Sequence, residues 1–259
     1  MGANVGSVAT ITGNPQNMMI GSFSRIPYGE FAAALAPTAA VGLVLTVAVI
    51  AAVYWKEFRV EERVEIDTRR VRVNRVLMAK SLAAAAGMLI FFFAGWPVAK
   101  VALVAGALLL ITRRVKPEKV YHEIDWQLLV MFVGLFIVVA GIEKTSLTRD
   151  LFEFAARFKL ARAGVLSTAS AILSNIVSNV PAVLVFKPLI PHLPDARRAW
   201  LTLAMSSTLA GNLTLLGSVA NLIVVQRARR EVTISFWEYM KAGAPLTILT
   251  IAAGVLMMR

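Results

Sequence analysis

The sequence predicts an all-α polytopic membrane protein, and its composition is the first evidence for that fold class. Hydrophobic residues make up 58% of the 259 residues and charged residues only 16%, and the mean hydropathy is +0.71. Soluble domains are nearer one half apolar and one quarter charged. A disordered chain would not be this apolar. A single soluble domain would lack the polar residues needed to cover its surface.

Charge and residue types narrow the function classes. The chain has 27 Lys and Arg against 15 Asp and Glu, a net charge of +12, and no cysteine. The basic residues gather between apolar runs, where they set orientation in a bilayer, so we expect no nucleic-acid partner. The absence of cysteine excludes disulfides and thiolate catalysis. His122 and His192 lie far apart in polar or Pro-rich segments, and we therefore expect neither a metal site nor a resident cofactor.

Long uncharged runs give the second line of evidence, because a spanning helix needs about 20 mostly apolar residues. The basic segment 56–75 is predicted to be a cytoplasmic linker, and residues 152–162 a short amphipathic helix at the membrane interface. Five runs predict ordinary crossings: 31–55, 76–95, 98–112, 126–142 and 242–258.

Two further runs are uncharged yet rich in polar residues. Residues 163–187 contain the sequence SNIVSNVP, and residues 199–226 contain many Ser, Thr, Asn and Gly residues. Backbone that leaves the helical conformation inside a membrane is tolerated only where protein buries it or where it lines a cavity. We predict a re-entrant hairpin at 163–187 and a broken crossing at 199–226.

An internal repeat is the third observation. The pattern T-x-x-G-x-x-x-N occurs at 10–17 and again at 214–221, an offset of 204. Residues 26–37 then match 234–245 at an offset of 208, which predicts a four-residue insertion between the two matches. Counting crossings, the copies are expected to have opposite topology. Inverted repeats with interrupted helices are typical of secondary transporters.

The repeat also predicts the organisation of the chain. Residues 1–55 would be the end of a first inverted repeat, 56–75 the linker, and 76–259 a complete second repeat. The hairpin that should precede the first motif would lie before Met1. We therefore expect the first repeat to be incomplete and the chain to be the C-terminal part of a longer permease.

Helix breaks suggest how such a protein would bind its substrate. Pro181 is expected to break the hairpin helix. Free N–H groups at a helix end suit an anion, and free carbonyls with Asn and Ser oxygens suit Na⁺ as a coupling ion. No charged residue lies in the motifs, so neutral donors and dipoles would hold the anion. The candidate substrate- or ion-binding residues are Ser174, Asn175, Ser178, Asn179 and Pro181 in the hairpin; Asn212, Thr214, Gly217, Ser218 and Asn221 in the second break; and Thr10, Gly13, Asn14 and Asn17 in the first motif.

Other interpretations remain open at this point. Ser, Thr and Asn in membrane helices often serve only packing and hydrogen bonding between helices. A Na⁺/H⁺ antiporter would show proton flux that depends on Na⁺ and not on an anion. An intramembrane hydrolase would need a Ser–His or His/Glu metal constellation within crossings, and neither histidine lies there. A purely structural subunit would have no use for paired helix breaks.

Several segments resemble a known group of permeases. They are DWQLL (125–129), FVGLFIV (132–138), SNIVSNVP (174–181), AGNLTLLGSVANLIV (210–224) and GSVATITGNPQN (6–17). Together they resemble the ion transporter superfamily, and within it the arsenite-permease-like and citrate/dicarboxylate-type anion permeases.

The resemblance implies two inverted repeats, commonly in a homodimer that works by elevator-like alternating access. We expect the protein to lie in the plasma (inner) membrane. Ser178 and Asn179 match the first two residues of the family's Ser-Asn-Thr signature, whereas Val180 stands where the sodium–dicarboxylate branch has Thr. This difference favours the arsenite-like branch. We expect a secondary transporter of an inorganic or small organic anion, and no enzyme activity.

Overall fold

The computed structural model describes residues 1–59, 74–111, 118, 121–122, 124–143, 159–228 and 232–258, and every regular element among them is helical. The α-helices are α1 (Gly2–Ser7), α2 (Pro15–Ser24), α3 (Tyr28–Val53), α4 (Arg75–Phe93), α5 (Val98–Ile111), α6 (Trp126–Glu143), α7 (Ala163–Val177), α8 (Asn179–Phe186), α9 (Ala196–Ala210), α10 (Val219–Ala228) and α11 (Phe236–Met257). Short 3₁₀ helices lie at Ile11–Gly13, Glu57–Arg59, Ile190–His192 and Leu215–Gly217. The expected all-α fold class is confirmed.

Three of these helices are long and apolar enough to cross a membrane, namely α3, α4 and α11. Shorter apolar helices are Val98–Ile111, Leu129–Val138, Ala163–Val177 and Val219–Ala228. Each of the five predicted ordinary crossings therefore coincides with a helix. The predicted interfacial helix at 152–162 and the linker at 56–75 lie largely outside the described residues and stay predictions.

The chain divides into two compact units. The smaller unit contains Pro27–Gly29 and residues 60–134, and in it α4 packs against α5. Gly95 makes the turn between these two helices with a φ of 85°, a backbone conformation that costs glycine little. Within this unit the ring of Tyr28 lies 5.2 Å from the rings of both Phe92 and Phe93.

The larger unit contains Met1–Ile26, Glu30–Arg59 and Leu135–Arg259, with α9 at its centre. Helix α9 contacts α1, α2, α7, α8 and α11, and every residue from Thr202 to Ala210 is buried. Two of its hydroxyl groups are satisfied within the helix, since Ser206 and Ser207 donate to the carbonyls of Thr202 and Leu203, each at 2.7 Å. A helix this polar can cross a bilayer because protein surrounds it.

The two segments that share the T-x-x-G-x-x-x-N pattern have the same local structure. In each, a three-residue 3₁₀ helix is followed by a ten-residue α-helix, α2 in one segment and α10 in the other, at the offset of 204. Helices α3 and α11 begin at Tyr28 and Phe236, an offset of 208, and each contains an internal proline, Pro37 or Pro245. The four extra residues of the second copy therefore lie between α10 and α11. The opposite orientation of the two copies in a bilayer stays a prediction.

The segment 163–187, which is predicted to be a re-entrant hairpin and is called the hairpin below, breaks at a different residue from the one expected. Helix α7 ends at Val177 and α8 begins at Asn179, so the break is at Ser178, and Pro181 is the third residue of α8. A proline in the first turn costs no hydrogen bond, because N–H groups there have no acceptor within the helix. Pro181 therefore lies inside α8, and the role of helix breaker that its sequence suggested was wrong.

Candidate functional site

The hairpin tip is a sharp break between two helices. Ser178 has φ 79° and ψ 161°, a conformation that is almost exclusive to glycine. Holding a serine there costs about 1–3 kcal/mol and requires support from the surrounding structure. Ser178 is exposed, whereas Asn179, the next residue, is buried. The turn at this polar residue therefore lowers the stability of the fold.

The second break follows the buried helix α9. The N–H groups of Gly211, Asn212 and Leu213 each bond to the carbonyl three residues earlier, so the helix tightens before it ends. Asparagine side chains then donate hydrogen bonds to the carbonyls at the C-terminal end of α9. The Nδ2 of Asn175 donates to the carbonyl of Ala210 at 3.0 Å, and the Nδ2 of Asn221 donates to the carbonyl of Gly211 at 2.8 Å. The first of these bonds ties the hairpin tip to the second break.

The first motif forms a matching break between α1 and α2. The Nδ2 of Asn17 donates to the carbonyls of Ser7 at 3.1 Å and Thr10 at 3.0 Å. Asn17 and Ser7 correspond to Asn221 and Gly211 at the offset of 204, so both copies contain the same amide-to-carbonyl bond. The Oδ1 of Asn14 caps α2 by accepting from the N–H of Asn17 at 2.8 Å. In both copies an asparagine closes the loop that the break opens.

The motif glycines allow close backbone approach in both breaks. A Cβ on Gly13 would lie 2.1 Å from the carbonyl oxygen of Ser7, a distance too short for any side chain. A Cβ on Gly217 would lie 3.0 Å from the carbonyl oxygen of Gly211 and 3.2 Å from Oδ1 of Asn175. The glycines are therefore required by packing, and more strictly at Gly13.

Two side chains outside the predicted set join the motifs. The Nδ2 of Asn4 donates to Oδ1 of Asn212 at 2.9 Å and to Oδ1 of Asn221 at 3.3 Å, and its Oδ1 accepts from Ser218 at 2.8 Å. In the other direction, Oγ1 of Thr208 accepts from Asn14 at 3.1 Å. The two breaks are consequently held together by buried and partly buried side-chain hydrogen bonds.

Thr208 has further partners in the first motif. Its Oγ1 also accepts from Nε2 of Gln16 at 3.3 Å and donates to Oδ1 of Asn17 at 3.4 Å. The sequence did contain a signal for both linking residues. Asn4 and Thr208 are separated by 204 residues, the offset of the repeat, and both are polar residues.

Several buried polar atoms near the hairpin have no hydrogen-bond partner among the described residues. Two are Oδ1 of Asn179, an acceptor, and Nδ2 of Asn212, a donor, and the others in this region are the hydroxyls of Ser167, Ser170 and Ser174 along α7. Leaving such a group unpaired costs about 1–3 kcal/mol. The Nδ2 of Asn179 approaches Gly211, next to Asn212, so the two unpaired amides belong to one region.

Seven of the fourteen predicted residues fall into two groups by their hydrogen bonding. Asn14, Asn17, Asn175 and Asn221 donate to carbonyls or hydroxyls within the fold and hold the breaks in shape. Asn179, Asn212 and Ser174 keep unpaired atoms that a solute could use. None of the candidate residues is charged. The unpaired atoms of the site are therefore neutral hydrogen-bond donors and acceptors.

Comparison with known proteins gives a family. Residues 1–210 match the family described as citrate transporter, abbreviated CitMHS. An uncharacterized transporter of Mycobacterium tuberculosis is 28% identical over 274 residues, which cover 96% of this chain and 63% of that protein. The chain therefore spans a little under two thirds of the length of such relatives.

Two eukaryotic relatives have more specific names. The silicon efflux transporter LSI3 of Oryza sativa subsp. japonica is 29% identical over 327 residues, covering 98% of this chain and 67% of its own length. The putative transporter arsB of Dictyostelium discoideum is 36% identical over 175 residues, covering 65% of this chain and 31% of its own length. Both names describe transporters, and together with the family match they confirm the predicted transporter class of this chain.

Proposed function

Because the chain belongs to the citrate transporter family, we propose that it forms part of a secondary transporter that carries a small oxyanion, or the neutral hydroxo acid of that anion, across the plasma membrane. The observation that carries this proposal is the pair of helix breaks at Ser178 and at 211–218, which the amide of Asn175 joins. Interrupted helices that meet inside the protein form the substrate sites of many secondary transporters.

The chemistry of the unpaired atoms favours a solute of low charge. A tricarboxylate would bring several negative charges into a buried site, where unpaired charge is costly. The acceptor of Asn179 and the donor of Asn212 instead match a solute whose O–H groups donate and whose oxygens accept. Hydroxo acids of silicon and arsenic have this pattern, and the names of the silicon efflux and arsB relatives support the same class. Citrate is the second candidate, from the description of the family.

A coupling ion is part of the proposal. The carbonyl oxygen of Gly211 accepts one amide bond, from Asn221, and keeps a second lone pair, whereas that of Ala210 accepts bonds from both Asn175 and the N–H of Leu213. Oxygen ligands of this kind suit a hard cation such as Na⁺. The proton is the other candidate coupling ion. Imposing either a Na⁺ gradient or a pH gradient in the assay distinguishes between the two ions.

Transport assays in vesicles test the proposal. The 259-residue chain and an N-terminally extended form would each be reconstituted and supplied with silicic acid, arsenite or citrate under a Na⁺ or a pH gradient. We expect saturable movement of the two oxyacids, mutual competition between them, and a loss of at least tenfold in Asn179→Ala. The matched control is Gln127→Ala, an exposed amide on α6, which should transport normally.

Each alternative gives a different result. Transport of citrate without either oxyacid would replace the proposed substrate class. Proton flux that needs Na⁺ but none of the three solutes would indicate a Na⁺/H⁺ antiporter instead. Absence of all four activities from the extended form, with protein correctly inserted, would overturn the proposal.

A further inference from the structure

A groove at the base of the hairpin lies away from the helix breaks. It has a volume of about 1290 Å³ and runs along α7 and the C-terminal end of α8, with Val255 of α11 at one side. Small-molecule sites occupy roughly 300–1,000 Å³. The groove is therefore large enough for an extended apolar chain.

The walls of the groove are apolar along most of its length. Ile172, Leu173, Phe186 and Leu189 line it, and Ile172 is 58% exposed in the protein alone. In a protein that crosses a bilayer, an exposed apolar surface of this kind is in contact with acyl chains. The groove is therefore open toward lipid rather than closed, and it is called the slot below.

Two arginines lie at one end of the slot. Arg162 immediately precedes α7, and Arg198 is in the first turn of α9. Both side chains are exposed, and no carboxylate in the described part of the chain pairs with either guanidinium, whereas the adjacent Arg197 is paired with Glu30. The carboxylate of Asp195 accepts a bond from the main-chain N–H of Arg198 instead.

Backbone groups add to this positive end. No side chain caps α7 at its N-terminus, where Arg162 is the N-cap. The first N–H groups of that 15-residue helix have no acceptor within it, and they carry a partial positive charge. Two guanidinium groups next to free N–H groups form a binding arrangement for a phosphate.

We propose that this slot binds one anionic phospholipid, with the phosphate between Arg162 and Arg198 and an acyl chain along α7. The apolar slot alone would accept any lipid, and the arginines select the anionic headgroup. Zwitterionic lipids carry a compensating amine and gain less from the two guanidinium groups. Binding would tie the hairpin base to the first turn of α9, independently of any transported solute.

Lipid retention tests the proposal on the full chain. Purified protein would be titrated with phosphatidylglycerol in detergent and the bound lipid counted by native mass spectrometry, with phosphatidylcholine and water-soluble glycerol phosphate as separate arms. We expect preferential binding of phosphatidylglycerol, and no detectable binding of glycerol phosphate because it lacks the acyl chain. The double variant R162Q/R198Q should bind phosphatidylglycerol about tenfold more weakly.

The matched control is R75Q/R227Q, which removes two exposed basic residues at the ends of α4 and α10 and should bind phosphatidylglycerol within twofold of the unchanged chain. Both double variants change exposed side chains, so the thermal midpoint without lipid should be the same for each. Equal retention in R162Q/R198Q, or equal binding of phosphatidylcholine, would overturn the proposal. Binding of glycerol phosphate with the same affinity would show a free-phosphate site and also overturn it.

Discussion

Asn4 and Thr208 are equivalent residues of the two similar segments, and each bonds to the motif of the other segment. Asn4 contacts Ser218 and Asn221, while Thr208 contacts Asn14 and Asn17. Adding 204 to the numbers of the first copy gives the second: 4 to 208, 14 to 218 and 17 to 221. Reciprocal contacts of this kind are produced by a two-fold relation between two segments. They favour the predicted inverted repeat.

Removing the Asn4 side chain should weaken the link between the motifs. Asn4→Ala leaves Asn212, Ser218 and Asn221 each without one buried partner. We expect the free energy of unfolding to fall by about 1–3 kcal/mol, the usual cost of orphaned buried polar groups. Thermal unfolding of the purified protein in detergent would measure it.

The equivalent change on the other side is Thr208→Val, which keeps the side-chain volume and removes the hydroxyl. Its effect should resemble that of Asn4→Ala, because Thr208 also has three partners. Gln127→Ala serves as the control, since that amide is exposed. Thermal midpoints that are unchanged in both test variants would show that the bonds do not hold the motifs together.

The motif glycines should differ in their tolerance of alanine. At Gly13 a Cβ would meet the Ser7 carbonyl at 2.1 Å, whereas at Gly217 the nearest atom is at 3.0 Å. At Gly106 nothing lies within 4 Å. Overpacking usually costs about 1–3 kcal/mol, and more where backbone must move. We therefore expect Gly13→Ala to destabilise the protein more than Gly217→Ala, whereas Gly106→Ala, in an exposed helix interior, should stabilise it by about 0.5–1 kcal/mol because alanine has the higher helix propensity.

Thermal midpoints of the three alanine variants would give this order directly. Gly106 is the internal control, because it lies in α5 with open space around its Cα. A Gly13→Ala protein as stable as Gly106→Ala would contradict the close approach of the backbone at the first break.

The sequence predicted the breaks better than it predicted their details. Uncharged but polar runs located the helix breaks at Ser178 and after α9, because lipid excludes such side chains. It misplaced the hairpin break by three residues, since Pro181 is compatible with a first helical turn and the positive φ of Ser178 leaves no mark in the sequence. Asn4 was not singled out, because its role depends on contacts with residues more than 200 positions away.

Two asparagines of the site should respond differently to truncation. The Oδ1 of Asn179 has no partner, so Asn179→Ala should leave stability nearly unchanged while transport by the extended form falls at least tenfold. Asn221→Ala removes the bond to the Gly211 carbonyl and should lower both stability, by about 1–3 kcal/mol, and transport. Vesicle uptake and thermal unfolding, measured on the same preparations, separate the two outcomes.

One outcome for the two asparagine variants would contradict this prediction. If Asn179→Ala were as destabilising as Asn221→Ala while transport stayed normal, Asn179 would be a structural residue rather than a binding residue. Membrane insertion of each variant would be checked first, so that a loss of transport cannot reflect a loss of protein.

The strained turn at Ser178 gives a prediction of unusual sign. Glycine adopts a φ of 79° without the steric cost that serine incurs, so Ser178→Gly should stabilise the protein by about 1 kcal/mol. Ser81→Gly is the matched control in the exposed part of α4, where glycine should instead destabilise by about 0.5–1 kcal/mol. Because the strain holds the hairpin tip in one conformation, transport by Ser178→Gly should fall although stability rises. A Ser178→Gly protein that is less stable than the unchanged chain would show that Ser178 does not have this positive φ.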